Sequence, residues 1–478
     1  MTIKKQKAVT VLNMYGNNNI DAVEYYDKKN RIRSIEAIIL DEFGNEIKRI
    51  KRKDFKDESV ADGVSIFNDD RRIYLEYTPI NYPYTVIFES ELESTNTAFI
   101  PSWYPVDDNY ESVEKSLITI NFSNEVGFKY LEKNFEGSLI EKNNGTNFIS
   151  YSCSNLHPIE KEDYSPNYKK IIPHVLFGLD NITLEGYSGT IKTWNDFGSW
   201  IYNNLLMDTE ELPKETEDKI KLLVKEESDP IKKAKIIYKY VQDKTRYVSI
   251  QLGIGGWKPM LAKDVDRLGY GDCKALSNYT RVLLKTIGIE SYYTIIYGDE
   301  DKINLQNDFV AMQGNHVILT IPINGKLFFL ECTSQTAPFN FNGNFTDDRF
   351  ALLVKPNGGE IVKTNEYSEI DNSQIIKGKY TISEEGLLQG ELQIRSKGIQ
   401  YNNIYSIENS SKEEIDEHYK QNFSWINNLV LKKVKFTNNR EDIEFVEAVN
   451  ISGENYATNA SENSLMFPIN AFNQNYII

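Results

Sequence analysis

One cysteine in this sequence stands where a thiol could act as a nucleophile. Cys273 follows Gly271-Asp272 and opens a stretch with apolar residues at helical spacing. Those residues are Leu276, Tyr279, Leu283 and Ile287. The spacing predicts a helix that begins at Cys273 and ends at Gly288. A helix N-terminus favours a thiolate, and its unsatisfied backbone N–H groups can donate to an oxyanion. The pattern indicates a nucleophile, and its alternative is a buried, unreactive thiol.

A histidine and a glutamate lie on two predicted strands that follow this helix. Asn324-Gly325 separates two apolar runs, and this dipeptide is the strongest short-range signal for a β-hairpin. The register of such a hairpin puts His316 and Glu331 on one face, with backbones roughly 7–8 Å apart, and Cys332 on the other. The pattern predicts a triad in which His316 is the base of Cys273 and Glu331 orients the imidazole. The alternative is a strand histidine without a role and a solvated glutamate.

Two residues upstream of Cys273 are candidates for a further oxyanion donor. They are Gln251 and Trp257. The indole of Trp257 is equally an aromatic that packs in a core. Asp272 is predicted to cap the helix and not to take part in the chemistry. Cys153 and Cys332 are expected to be inert core thiols, and the alternative is a disulfide between two of the three cysteines.

The composition argues against several classes of function. The chain has 478 residues, 40% of them apolar, and a net charge of −16 at pH 7. This acidic balance argues against nucleic acid and against an anionic membrane surface, because both require a basic footprint. Three cysteines without C-x-x-C spacing and four histidines argue against a structural zinc site, and no other metal or cofactor is implied. No apolar stretch reaches the length of a membrane span.

The first residues lack the apolar core of a signal peptide. The sequence therefore predicts one of two locations. The protein is cytoplasmic, or it belongs to the periplasm or cell envelope and has lost a leader.

The chain divides by pattern into three segments. Residues 1–185 and 370–478 are rich in strand-like runs, and the second of these segments need not be a complete domain. Residues 190–345 carry helices as well. The predicted N-terminal strands are Ala8–Leu12, Ile32–Leu40, Ile73–Tyr77, Tyr84–Glu91 and Leu117–Phe122. Helices are predicted over Thr193–Leu206, Lys214–Glu226 and Ser411–Phe423, and from Pro230 to Val241.

Five short motifs of the middle segment resemble the transglutaminase-like superfamily, a papain-related group with a cysteine nucleophile. They are Arg246–Ile250, Gly253–Pro259, Arg267–Lys274, Asn315–Ile318 and Phe329–Ser334. The β-rich flanks resemble uncharacterised domains that bracket such cores in multidomain proteins of Bacteroidetes. Glu331 departs from the family pattern, which usually has Asp at this position.

The resemblance implies an α+β fold. Its papain/transglutaminase-like core packs helices on an antiparallel sheet, between two mainly antiparallel β domains. It also implies acyl transfer from peptide or side-chain amides of a peptide or protein substrate through a thioester. Bacterial members favour hydrolysis, as in a peptidase or amidase, over cross-linking, and proteins of this architecture are commonly exported. The alternative is a catalytically silent scaffold in a cell-envelope binding or adhesion protein.

Overall fold

The computed structural model has helices and antiparallel sheets, which confirms a mixed α and β fold. It describes residues 1–60, 65–68, 70–251, 253–461 and 464–473, with backbone alone at 65–68, 169, 251, 253–254 and 459–461. The chain forms two compact units. The first contains Met1–Tyr297, Asn304–Thr320 and Phe350–Val362, and the second contains Gly298–Ile303, Ile321–Arg349 and Lys363–Ile478. The division into three domains stays a prediction.

Strands make up much of the first 190 residues, and those that the structure describes pair antiparallel except Ser65–Asn68, which pairs parallel with Ser249–Gln251. They are β1 (Thr2–Val11), β2 (Val23–Tyr26), β3 (Asn30–Leu40), β4 (Glu46–Lys51), β5 (Lys56–Ser59), β6 (Ser65–Asn68), β7 (Arg71–Tyr74), β8 (Tyr84–Ser94), β9 (Val113–Asn121), β10 (Phe128–Lys133), β11 (Glu141–Asn144), β12 (Phe148–Leu156), β13 (His174–Leu179), β14 (Asn181–Leu184) and β15 (Tyr187–Thr190). Two of the sheets run in the orders β1-β8-β3-β4 and β11-β12-β9, and β10 pairs with β13. Strand β3 buries Ile35, Ala37 and Ile39 on one face, as alternation requires. The five predicted strands are confirmed, with shifted ends.

Helices occupy much of the next hundred residues. They are α1 (Trp194–Ile201), α2 (Lys214–Leu223), α3 (Pro230–Lys244), α4 (Ala262–Leu268) and α5 (Cys273–Thr286). The three helices predicted before α4 are confirmed, and the side chains of Thr193 and Asp229 cap α1 and α3. A π-helical turn, Tyr202–Leu206, continues α1. The sequence pattern does not predict α4, because seven residues are too few to show helical periodicity.

The strands around α5 hold the candidate site. They are β16 (Arg246–Tyr247), β17 (Ser249–Gln251), β18 (Tyr270–Gly271), β19 (Tyr292–Ile296), β20 (His316–Ile323), β21 (Lys326–Leu330), β22 (Phe350–Lys355) and β23 (Gly358–Lys363). In the first unit β19 lies between β20 and β22, antiparallel to both, and β23 follows β22. The two outer strands β22 and β23 come from beyond residue 345, where the expected core segment ended.

The second unit contains β21 and the C-terminal elements. The loop before β21 is Asn324-Gly325, and both residues have positive φ, 52° and 75°, as a two-residue type I′ hairpin turn requires. The later elements are β24 (Gln374–Ile382), β25 (Leu388–Lys397), α6 (Ile399–Asn402), α7 (Lys412–Asn422), β26 (Val430–Asn439), β27 (Glu444–Gly453), β28 (Thr458–Ser461) and β29 (Ser464–Met466). Four of these strands form a sheet in the order β24-β25-β27-β26. The predicted helix Ser411–Phe423 is confirmed as α7, with Ser411 and Glu414 forming its capping box.

None of the helices in the described ranges is both long and apolar enough to cross a membrane.

Candidate active site

Cys273 is the first residue of helix α5, as predicted. The preceding residue, Asp272, is the N-cap, and its Oδ1 accepts a hydrogen bond from the backbone N–H of Ala275 at 2.9 Å. The predicted role of Asp272 as a cap is therefore confirmed. Gly271 is required by space, since a Cβ there would lie 2.7 Å from the Cβ of Ala275. These contacts fix the start of the helix and hence the position of the thiol.

Helix α5 is buried on all sides over its first three turns, and it is anchored to strand β20. Every residue from Cys273 to Leu284 is buried. Ser277, one turn after Cys273, donates a hydrogen bond from its Oγ to the carbonyl oxygen of Val317 at 3.2 Å. Cys273 and Val317 also belong to one hydrophobic cluster. Since Val317 follows His316, the beginning of α5 is tied to the beginning of the histidine strand.

His316 is the first residue of β20 and is half-buried. It pairs with Ile296 of β19, and the backbone N–H of Asn315 donates to the carbonyl oxygen of Ile296 at 3.1 Å. Gly314 precedes them with a φ of +91°, a conformation that favours glycine. The structure thus confirms that His316 begins a strand, at the point where a loop enters the sheet.

The loop before His316 is held by its own hydrogen bonds. The side chain of Gln313 donates to the carbonyl oxygen of Phe309 at 2.6 Å and accepts from the backbone N–H of Gln306 at 2.7 Å. The indole of Trp194 in α1 donates to the carbonyl oxygen of Asn307 at 2.7 Å. These hydrogen bonds fix the shape of the loop and therefore the position of His316 at the start of the strand.

The same loop also rests on β10 and β13. The ring of Phe309 is 6% exposed and lies so near Gly178 of β13 that a Cβ there would be 3.2 Å from it. Lys133 at the end of β10 forms an ion pair with Asp308 at 3.6 Å. The β-rich part of the first unit thus supports the histidine strand through the loop.

The two candidate oxyanion donors differ in what the structure shows of them. Trp257 is half-buried, packs against the cluster that contains Cys273, and contacts Phe99 with ring centroids 4.8 Å apart. Its packing role is therefore established, and its role as a donor stays a prediction. The side chain of Gln251 lies outside the described residues, and only its backbone in β17 is described.

Glu331 belongs to the second compact unit. Its predicted position on the strand is wrong, because β21 ends at Leu330 and Glu331 lies one residue beyond it. Its Oε1 accepts hydrogen bonds from the backbone N–H and the hydroxyl of Thr333, at 3.2 Å and 2.5 Å. Its role as the orienter of His316 stays a prediction.

The other two cysteines are buried. Cys153 is 3% exposed and Cys332 is 4% exposed, and all three cysteines are present as thiols. Burial raises the pKa of the Cys153 thiol, which disfavours its reactive thiolate. This is the environment that an inert core thiol requires.

Several residues that shape the site are missed by the sequence pattern. Ser277 sits inside a helical stripe and carries no signal that it binds a strand about forty residues later. Phe99 comes from the β-rich flank, and only the tertiary fold brings it to Trp257. Within the ranges that the structure describes, no group of three or more His, Cys, Asp or Glu side chains is arranged to hold a metal ion.

Comparisons with known proteins give one family match and one similar fold. Residues 1–160 match a domain of unknown function, DUF3857, which fits the expectation that the N-terminal flank is an uncharacterised domain. A search of curated proteins finds no match. The fold is similar to that of a candidate protease from Parabacteroides distasonis, at a TM-score of 0.53 and 12% identity over 95% of this chain and 90% of that chain. A candidate cysteine protease from Cytophaga hutchinsonii aligns over 76% of this chain and 89% of that chain at 8% identity, with a TM-score of 0.21. The chain therefore shares its fold with the first of these two proteins.

Proposed function

We propose that this protein is a cysteine peptidase or amidase of the transglutaminase-like superfamily, with Cys273 as its nucleophile. The observation that carries the proposal is the position of Cys273. It opens a capped, buried helix, and the next turn of that helix is hydrogen-bonded to the strand that begins with His316. A helix N-terminus favours the thiolate. The fold shared with a candidate protease supports the same assignment.

In the proposed reaction the Cys273 thiolate attacks an amide carbonyl carbon and forms a C–S bond. The protonated imidazole of His316 gives its proton to the leaving nitrogen, and the C–N bond breaks to leave a thioester. Water then attacks the thioester while His316 takes its proton, and the thiolate leaves with release of a carboxylic acid. Glu331 would orient the imidazole, and the indole N–H of Trp257 would donate to the oxyanion.

Acylation by p-nitrophenyl acetate tests this reaction without knowledge of the natural substrate. We expect the acetyl group to appear on the peptide that contains Cys273 and then to be lost by hydrolysis. Neither step should occur at a comparable rate in the His316→Ala variant. A Cys153→Ala variant is the matched control, because that thiol is buried in another part of the first unit, and it should behave as the wild type.

The same assay separates hydrolysis from transfer. Under the hydrolytic proposal, added glycine ethyl ester leaves the rate of acetyl loss unchanged. If the amine instead becomes acetylated in preference to water, the enzyme is an acyltransferase. If Cys273 is acetylated no faster than Cys332, the protein is not an enzyme of this class and the scaffold alternative is favoured.

A further inference from the structure

A lysine side chain is buried beside the proposed nucleophile. Lys274, the second residue of α5, is 6% exposed, and its Nζ forms an ion pair with Oδ2 of Asp272, which is 2% exposed. The other carboxylate oxygen of Asp272 caps the helix through the N–H of Ala275. Two opposite charges therefore flank Cys273 in sequence, and both are shielded from water.

This arrangement is costly compared with a neutral cap. A cation near a helix N-terminus opposes the helix dipole. A buried ion pair also loses the hydration of both charges. Asn or Ser caps a helix about as well as Asp does, so a neutral cap would need no lysine. Capping alone does not explain why this helix begins with a buried Asp–Lys pair.

The charge next to the thiolate supplies an explanation. An unpaired carboxylate at Asp272 would repel a thiolate on the adjacent residue in a poorly hydrated site. The ammonium group of Lys274 cancels that charge and also holds the carboxylate in its capping position. The thiolate then forms beside a neutral pair, where the helix N-terminus can favour it.

We infer that Lys274 is a positioning residue for Cys273, which acts by compensating the charge of Asp272. The inference rests on the proposed function, because it assigns Lys274 a role only if Cys273 reacts as a thiolate. It goes beyond that function in naming the residue that makes an acidic cap compatible with a nucleophilic cysteine.

The test is the rate of alkylation of Cys273 by iodoacetamide at about pH 6, because this reagent reacts with the thiolate. Lys274→Met leaves the carboxylate unpaired, and we expect a rate roughly tenfold slower than wild type. Asp272→Asn keeps a capping side chain but leaves the lysine unpaired, and we expect a several-fold faster rate. The double variant has a neutral cap and no lysine, and its rate should return to within a few-fold of wild type.

Opposite signs in the two single variants are the diagnostic result. A purely structural pair would slow alkylation, or expose the thiol unselectively, in both variants. Thermal unfolding followed by circular dichroism identifies any variant that is not folded, and Asp272→Asn is retained as the informative variant because Asn is an equally good cap. Lys285→Met, at the far end of the same helix and paired with Glu210, is the control and should react as the wild type.

The inference and the proposed function fail in different ways. If wild-type Cys273 reacts rapidly but Asp272→Asn is slower than wild type, the charge-compensating role of Lys274 is wrong and the nucleophile stands. If wild-type Cys273 reacts no faster than Cys332 and His316→Ala changes nothing, the proposed function is wrong and the role of Lys274 falls with it.

Discussion

At the scale of single residues, Trp257 combines a packing role with an available donor. Its ring contacts Phe99, but its indole N–H donates no hydrogen bond to any residue in the part of the chain that the structure describes. It also borders the hydrophobic cluster that contains Cys273. An oxyanion requires a hydrogen-bond donor, so the role of Trp257 as that donor stays a prediction.

The change Trp257→Phe tests this donor. Phe retains an aromatic ring against Phe99 and lacks the N–H, so acylation of Cys273 by p-nitrophenyl acetate should slow by roughly 10²-fold. Alkylation by iodoacetamide should stay within about twofold of wild type, because displacement at a saturated carbon develops no oxyanion. Equal slowing of both reactions would show that Trp257 only packs.

A second residue-scale prediction concerns Gly271, which precedes the cap. Gly271→Ala places a Cβ 2.7 Å from the Cβ of Ala275, so the first turn of α5 must shift. We expect a loss of about 1–3 kcal/mol in the free energy of unfolding, measured by urea denaturation. Gly255→Ala is the matched control, because no atom that the structure describes lies within 4 Å of a Cβ there. The two variants should not be equally stable.

At the scale of elements, one carboxylate connects four helices. Asp266 of α4 accepts hydrogen bonds from Thr216 of α2 at 2.7 Å and from Tyr279 of α5 at 2.6 Å. It also forms an ion pair with Lys244 of α3. Burial works to raise the pKa of Asp266, but the hydrogen bonds from Lys244, Tyr279 and Thr216 outweigh burial and hold the pKa below its usual value. The ionised carboxylate therefore stabilises the packing of α5.

This depressed pKa predicts how stability depends on pH. A carboxylate with a lowered pKa stabilises the folded state fully above the unfolded value of about 4, and this contribution is lost as pH falls toward the folded value. Asp266→Asn should therefore lower the free energy of unfolding at pH 7 by about 1–3 kcal/mol. Below about pH 4, the free energy of unfolding of this variant should fall less steeply with decreasing pH than that of the wild type. Asp264→Asn is the control, because Asp264 lies on the same helix and pairs with Arg267. The free energy of unfolding of this variant should fall below about pH 4 as it does in the wild type. Parallel pH profiles for wild type and Asp266→Asn would contradict this account.

The elements differ in how far local sequence determines them. Thr193, Asp272 and Ser411 are predicted caps or helix starts, and each is found at its helix because capping depends on a few neighbouring residues. The hairpin turn is predicted for the same reason. The end of β21 is not predicted, because the end of a strand depends on its pairing with neighbouring strands and on side-chain contacts. Glu331 lies one residue beyond this end. Strands β22 and β23 also belong to the sheet, although the local sequence gives no signal that they pair with it.

At the scale of the whole molecule, the N-terminal segment and the helical segment share a hydrophobic core. Ala98 is buried in the cluster that includes Cys273, and Ile100, Val126 and Phe128 pack against it. Strand β10 of the matched segment 1–160 also pairs with β13 outside it. The segment that matches a domain of unknown function is therefore part of the core around Cys273.

This sharing predicts that the helical segment depends on residues 1–160. A chain that begins at residue 161 leaves β13 without β10 and exposes the apolar surface that Phe128 covers. We expect it to bind 8-anilinonaphthalene sulfonate and to lose the cooperative thermal transition of the full chain, with loss of rapid alkylation at Cys273. A cooperative transition near that of the full chain would show instead that the two segments fold independently.

The most direct test of the account is the rate of alkylation of each cysteine by iodoacetamide at about pH 6, followed by mass spectrometry of the peptides. In the wild type we predict that Cys273 reacts at least roughly tenfold faster than Cys153 and Cys332, because a helix N-terminus and an imidazolium both favour its thiolate. In His316→Ala that advantage should be largely lost. If Cys273 reacts no faster than the two core thiols, or keeps its advantage without His316, the proposed cysteine–histidine pair does not exist.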